Sequence, residues 1–164
     1  MAAIPAILGA VLSTKAIVVG IAQNMAQVQN AGLGFNTDLH TTALPAGGLA
    51  VDGDSVEFEY WGTIPLASVD SRIQVTLGAT VIFDTGVFAP GAASWRVTGR
   101  IVRTGAATQK AIIESRVVGG DGVSYATAAE TLANALDLKL KGNGTGGGDV
   151  TKEGAVVNFR GTAP

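Results

Sequence analysis

The chain has no cysteine, so neither a disulfide framework nor a thiolate metal site is available to it. With one histidine, His40, it also lacks the multi-His ligand sets of zinc enzymes, and any Ser-His-Asp site would have to use that single residue. Positive charge is scarce as well. A formal net charge of -2 and a pI of about 5.3 argue against the concentrated basic face that nucleic-acid binding requires. There is no long apolar run, because Pro5, Lys15 and Gly20 interrupt the N-terminus before either piece reaches the ~20 residues of a membrane span. Lys15 follows the first apolar stretch, the reverse of the order in a secretory signal. The expectation is a protein with no nucleic-acid or membrane partner, no cofactor and no metal.

What the chain does have is apolar content and glycine. Hydrophobic residues make up 47% and charged residues 15%, which suits one well-packed core. The 23 glycines exceed the average usage of about 7% and follow no collagen-like period, so they read as turns between many short elements. Charge is segregated: the first 50 residues contain only Lys15 and Asp38 beside His40. This predicts an apolar N-terminal arm over residues 1–35 and a folded body over 36–164. An apolar arm that is neither cleaved nor inserted in a membrane has to be covered by protein, and Ile4, Ile7, Leu8, Val11, Leu12, Ile17, Val18 and Val19 are its expected assembly contacts.

Period-two alternation dominates the body. In SVEFEYW, Val56, Phe58 and Tyr60 share one face and Glu57, Glu59 and Trp61 the other. SRIQVTL, SWRVTGRIVR, LDLKLK and AVVNFR repeat the pattern, with Trp95, Val97 and Ile101 expected inside and Arg96, Thr98 and Arg100 outside. Adding ATVIFDT, KAIIESRVV and the weaker TDLHTTAL predicts about eight strands separated by Pro-Gly, Thr-Gly and Gly-Gly-Asp-Gly turns. The fold class is therefore all-β, a jelly-roll-like antiparallel β-sandwich with an apolar N-terminal arm. The Ala-rich SYATAAETLANAL is the one stretch whose composition allows a helical turn.

Each candidate site has a plainer reading. Asp52-Gly53-Asp54 fails the spacing of a calcium loop, with its glycine second and apolar residues following, and reads as a turn. Glu57 and Glu59 lie about 7 Å apart on one strand face, a spacing that paired glycosidase carboxylates use, but alternating acids on a solvated face are commoner. GNGTGG, residues 142–147, matches Gly-x-Gly-x-x-Gly by letter but precedes a strand, so it reads as a hairpin connection without a phosphate site. Among Tyr60, Trp61, Trp95 and Tyr125, which would be the rings of a carbohydrate platform, Trp95 is expected in the core. Trp61, opposite Val56 and Phe58, is the surface contact residue. No catalytic residue is assigned and the chain is not expected to be an enzyme.

Four stretches then follow in order: LPAGGLAVDGDSVEFEYWGT, IQVTLGATVIFDTG, SWRVTGRIVRTGAATQKA and LDLKLKGNGTGGGDVTKEGAVVNF. Their Leu-Pro-Ala-Gly turn, Gly-Asp strand ending in Trp-Gly, Gly-x-x-x-x-Phe-Asp-x-Gly hairpin and Trp-started strand resemble a β-sandwich module of tailed-phage virion proteins. That module occurs in capsid decoration or cement proteins, head fibres and tail fibres. The likeness covers about residues 39 to 160. It implies a jelly-roll-like, usually trimeric domain displayed on a virion, with no catalytic residues to carry over. A short arm in place of a long shaft favours a decoration protein on the capsid surface, a homotrimer whose partner is the major capsid protein. The alternative is a short head or tail fibre with a receptor-binding role.

Overall fold

The computed structural model describes residues 21–32, 37–65, 70–88, 91–117 and 120–161. The described residues form eleven strands and no helix: β1 (Ile21–Asn24), β2 (Val28–Gln29), β3 (Thr37–Leu44), β4 (Ser55–Ile64), β5 (Arg72–Leu77), β6 (Thr80–Asp84), β7 (Ala93–Gly105), β8 (Thr108–Val117), β9 (Gly120–Ala128), β10 (Leu136–Asn143) and β11 (Thr151–Arg160). A seven-stranded sheet runs β1-β11-β4-β7-β8-β9, with β2 also on β11, and a four-stranded sheet runs β3-β10-β5-β6. Every pairing is antiparallel. The order is nested: β7 pairs β8, β6 packs against β9, β5 pairs β10 and β4 pairs β11. A hairpin of strands wrapped over itself in this way makes a jelly-roll-like sandwich.

The alternation read from sequence is the alternation of burial. Val56, Phe58 and Tyr60 of β4, Trp95, Val97 and Ile101 of β7 and Leu138 and Leu140 of β10 all lie in one core between the sheets. Two glycines make room for its aromatics. A Cβ on Gly62 would lie 2.7 Å from the Trp95 indole, and one on Gly99 would lie 2.9 Å from Ile113 and collide with the Phe58 ring. The glycine after Trp61 in β4 is thus a packing requirement, since Trp95 stands opposite Gly62 in the ladder.

Three readings need correction. The count is eleven strands among the described residues, because β1, β2 and β9 carry little periodic signal. SYATAAETLANAL holds no helix: its first part is β9, and Glu130 follows in a loop clamped at both ends. Gln109, buried, exchanges hydrogen bonds with the Glu130 backbone at 2.9 and 3.0 Å, and the Glu130 carboxylate accepts from the Ala79 and Thr80 amides. GNGTGG is not a hairpin connection, since it carries the chain from β10 in the smaller sheet to β11 in the larger one. Asn30 fastens it there. Its Nδ2 donates to the Gly146 carbonyl at 2.9 Å and its Oδ1 accepts from Val150 N at 2.8 Å.

Of the arm expected over residues 1–35, the described part is built into the larger sheet. β1 pairs residue for residue with β11, from Ile21 opposite Asn158 to Asn24 opposite Ala155. The assembly residues Ile4, Ile7, Leu8, Val11, Leu12, Ile17, Val18 and Val19 all lie in 1–20, outside the described residues.

Candidate binding face

The two sheets present different outer faces. On the four-stranded sheet the charges neutralise one another: Lys139 bonds Asp38 at 2.8 Å, Lys141 lies 3.4 Å from Asp38, and Arg72 Nε donates to Asp84 at 2.8 Å. Burial works to raise the Asp38 and Asp84 carboxyls. The hydrogen bond from Lys139 and the charges of Lys141 and Lys139 outweigh it at Asp38, and the bonds from Arg72 and Gln74 outweigh it at Asp84, so both titrate below the usual range.

The seven-stranded sheet is less complete. Its register sets Glu57, Arg100, Ile112 and Tyr125 in one row across β4, β7, β8 and β9, and Glu59, Thr98, Glu114 and Val123 in the next. A third row holds Trp61, Arg96, Arg116 and Asp121. Arg96 pairs with Glu59 at 2.8 Å, Arg160 with Glu57 at 3.0 Å and Arg116 more loosely with Asp121 at 4.0 Å. Thr98 is the short side chain at the centre, with Glu59 and Glu114 beside it in register and Arg96 and Arg100 before and after it on its own strand. A short residue ringed by four long ones leaves a depression. Two hollows of about 370 and 340 Å3 adjoin there, sharing Thr98 and Glu114. One reaches toward Arg116 and Asp121 and the other toward Glu57 and Asn158.

The aromatic residues named from sequence are not brought together. Tyr60 and Trp95 are core residues, 0% and 2% exposed. Trp61 is on the outer face as expected, but half-buried, with its indole lying over Gly154 where a Cβ would strike the ring. The exposed aromatic is Tyr125, 79% exposed on the edge strand β9 beside Ile112 and Val123. The sequence hides this corner because the Ala-rich SYATAAETLANAL also allows a helical turn. Its signal was the alternation of Val123, Tyr125 and Thr127 with Ser124, Ala126 and Ala128. Asp52-Gly53-Asp54 is a turn: Gly53 has φ +94°, Asp54 is buried and accepts from Val51 N, and Arg103 holds Asp52 at 3.0 Å. Glu57 and Glu59 are engaged by arginines on the solvated face.

A second polar group lies inside the sandwich. The bulge between Lys152 and Gly154 reverses the alternation of β11, so Lys152 sits opposite Gly62 on the inner face and is fully buried. Its Nζ donates to Asn24 Oδ1 at 3.2 Å, and burial pushes its pKa down. Nearby, His40 is buried with its Nε2 2.9 Å from Thr42 Oγ1 and its ring 5.7 Å from that of Tyr60. Burial, then the charge of Lys152, lowers its pKa below 6.5. Neither group opens onto the outer hollows, so this cluster belongs to the interior.

No protein-family model matches the sequence, and no curated protein does. Among solved structures the chain is similar to the CBM2 module of the evolved Dit of Lactobacillus casei BL23 phage J-1. The TM-score is 0.41 and the identity 10%, over 76% of this chain and 70% of that one. What the fold itself defines is a class, an antiparallel β-sandwich with one ion-paired face and one hollowed face.

Proposed function

We propose that this chain is a structural protein of a tailed-phage virion: a homotrimeric capsid decoration protein, without enzymatic activity, that binds the major capsid protein on the head surface and stabilises the shell. The observation that carries the reading is what the apolar N-terminal sequence leads into. Residues 1–20 hold Ile4, Ile7, Leu8, Val11, Leu12, Ile17, Val18 and Val19 with Lys15 as their only charge, and they run directly into β1, hydrogen-bonded to β11. A strongly apolar segment is thereby joined to a body whose described strands enclose a core of their own. Each such side chain gains roughly 1.5–3 kcal/mol when fully covered, less the cost of ordering an extended segment. A shell surface of repeated subunits offers that cover many times over. The ordered likeness to phage sandwich modules supports the same class.

The test is to delete residues 2–20 and measure folding, oligomer size and binding to undecorated capsids separately. The shortened protein is expected to fold, because β1 begins at Ile21 with all its ladder partners present, and to lose capsid binding. Saturation of capsids with unchanged affinity would end the proposal. Imaging of virions should find copies in number comparable with the threefold or quasi-threefold sites. A few copies at a vertex or tail would instead identify a short head or tail fibre with a receptor-binding role.

A further inference from the structure

We propose that the trough on the outer face of the seven-stranded sheet is a binding site for a neutral oligosaccharide, a role that goes beyond capsid decoration. Its two adjoining hollows, about 370 and 340 Å3, each lie at the lower end of the roughly 300–1,000 Å3 of small-ligand sites. They adjoin through the shared Thr98 and Glu114.

The lining selects the chemistry. It holds Glu57, Glu59, Glu114 and Asp121 beside Arg96, Arg100 and Arg116, and Arg160 pairs Glu57 from outside it, so the two signs nearly balance. Such a face has no preference for a polyanion or a polycation. It is instead dense in directional groups, guanidinium forks that donate and carboxylates that accept, which match the paired hydroxyls of a sugar. At its β9 border stands Tyr125, 79% exposed, with Ile112 beside it in register. That is a rigid apolar ledge for the C–H face of a pyranose ring.

A second copy of the chain or another protein fits worse. Protein interfaces are depleted of charge at their centres, whereas the centre here is Thr98 between two glutamates. Arg96 is taken by Glu59 and Arg116 lies toward Asp121, while Glu114 has no ion pair among the described residues. A flat protein surface would bury that carboxylate unpaired at high cost. A sugar hydroxyl donates to it and leaves it partly in water.

The experiment is affinity electrophoresis through gels containing soluble neutral polysaccharides (dextran, laminarin, starch and galactomannan), with alginate as an acidic comparison. The intact protein should be retarded by at least one neutral polymer, and high salt should not abolish this. Tyr125→Ala should weaken retardation about tenfold, the loss of one aromatic contact. Thr98→Trp should abolish it by filling the trough while the unfolding temperature holds, since an outward aromatic suits a central strand. Tyr125→Ala alone decides the matter if Thr98→Trp does not fold. The proposal is overturned by no retardation in any neutral polymer, by retardation in alginate alone, or by binding that survives the substitutions. Concentration-dependent self-association abolished by Thr98→Trp, without sugar binding, would assign the face to a second copy. None of these outcomes depends on residues 2–20, so capsid binding stands or falls separately.

Discussion

Replacing Asn30 by alanine should destabilise the protein far more than an exposed position in a loop would. The Asn30 amide acts as a piece of strand: its Oδ1 accepts from Val150 N at 2.8 Å and its Nδ2 donates to Gly146 O at 2.9 Å, while its backbone exchanges bonds with Val150 and Gly148. Val150 has no exposed surface, so truncation leaves its N–H buried without an acceptor, at about 1–3 kcal/mol. The lost bond to Gly146 adds about 0.5–1.5 kcal/mol. The total of about 1.5–4.5 kcal/mol corresponds to a fall of roughly 3–18 °C in unfolding temperature for a chain of this size. Urea denaturation of Asn30→Ala beside Gln27→Ala measures it. Gln27 is exposed and bonds the half-buried Glu153, and its truncation should cost under about 0.5 kcal/mol. Asn30→Asp should not rescue, because it keeps the acceptor for Val150 but sets a carboxylate against the Gly146 and Gly32 carbonyls. A loss below about 0.5 kcal/mol in Asn30→Ala would refute the reasoning: the glycine loop would then hold itself, and residues 21–32 would be a detachable strap.

Two further outcomes follow from the interior. The Tyr60 hydroxyl is buried with no hydrogen-bond partner among the described residues, and burial pushes its pKa well up. Tyr60→Phe should therefore be neutral or stabilising by up to about 1–3 kcal/mol, and a clear loss in urea midpoint would mean that the hydroxyl is satisfied. His40 is held below 6.5 by burial and by the Lys152 charge, so the unfolded chain takes up its proton first as pH falls. Its contribution is complete above pH 6.5 and is lost as pH drops through the lower folded value. Urea midpoints at pH 7.5 and 5 should show this fall, and His40→Asn should flatten it. An unchanged slope in the variant would assign the acid sensitivity elsewhere.

Much of the sandwich was legible because a strand's side-chain period is local. Val56 and Phe58 against Glu57 and Glu59, or Leu138 and Leu140 against Lys139 and Lys141, announce a half-buried strand without reference to anything distant. The inward Trp95, the outward Trp61 and the Asp-Gly-Asp turn were readable for the same reason. Pairing partners were not. β1 and β11 meet across more than a hundred residues because β11 would otherwise end the sheet with an open row of backbone groups, and nothing in IAQN itself points to AVVN. In β9 only Val123 and Tyr125 stand out among Gly, Ser, Ala and Thr, so its alternation is faint and its Ala-rich continuation also allows a helical turn. Lys152 shows the limit most sharply. Alternation carried back from Ala155 places it outside, and one extra residue at the bulge turns it into the core beside Asn24. The trough had the same origin. Glu59, Thr98 and Glu114 are each ordinary outward residues of three separate strands, and only the lateral register sets the short one between the two long ones. Composition and alternation alone determined that this chain buries one face of many short strands. Which strands neighbour which, and so what the exposed face can hold, was decided by closure of the backbone hydrogen bonds over the whole chain.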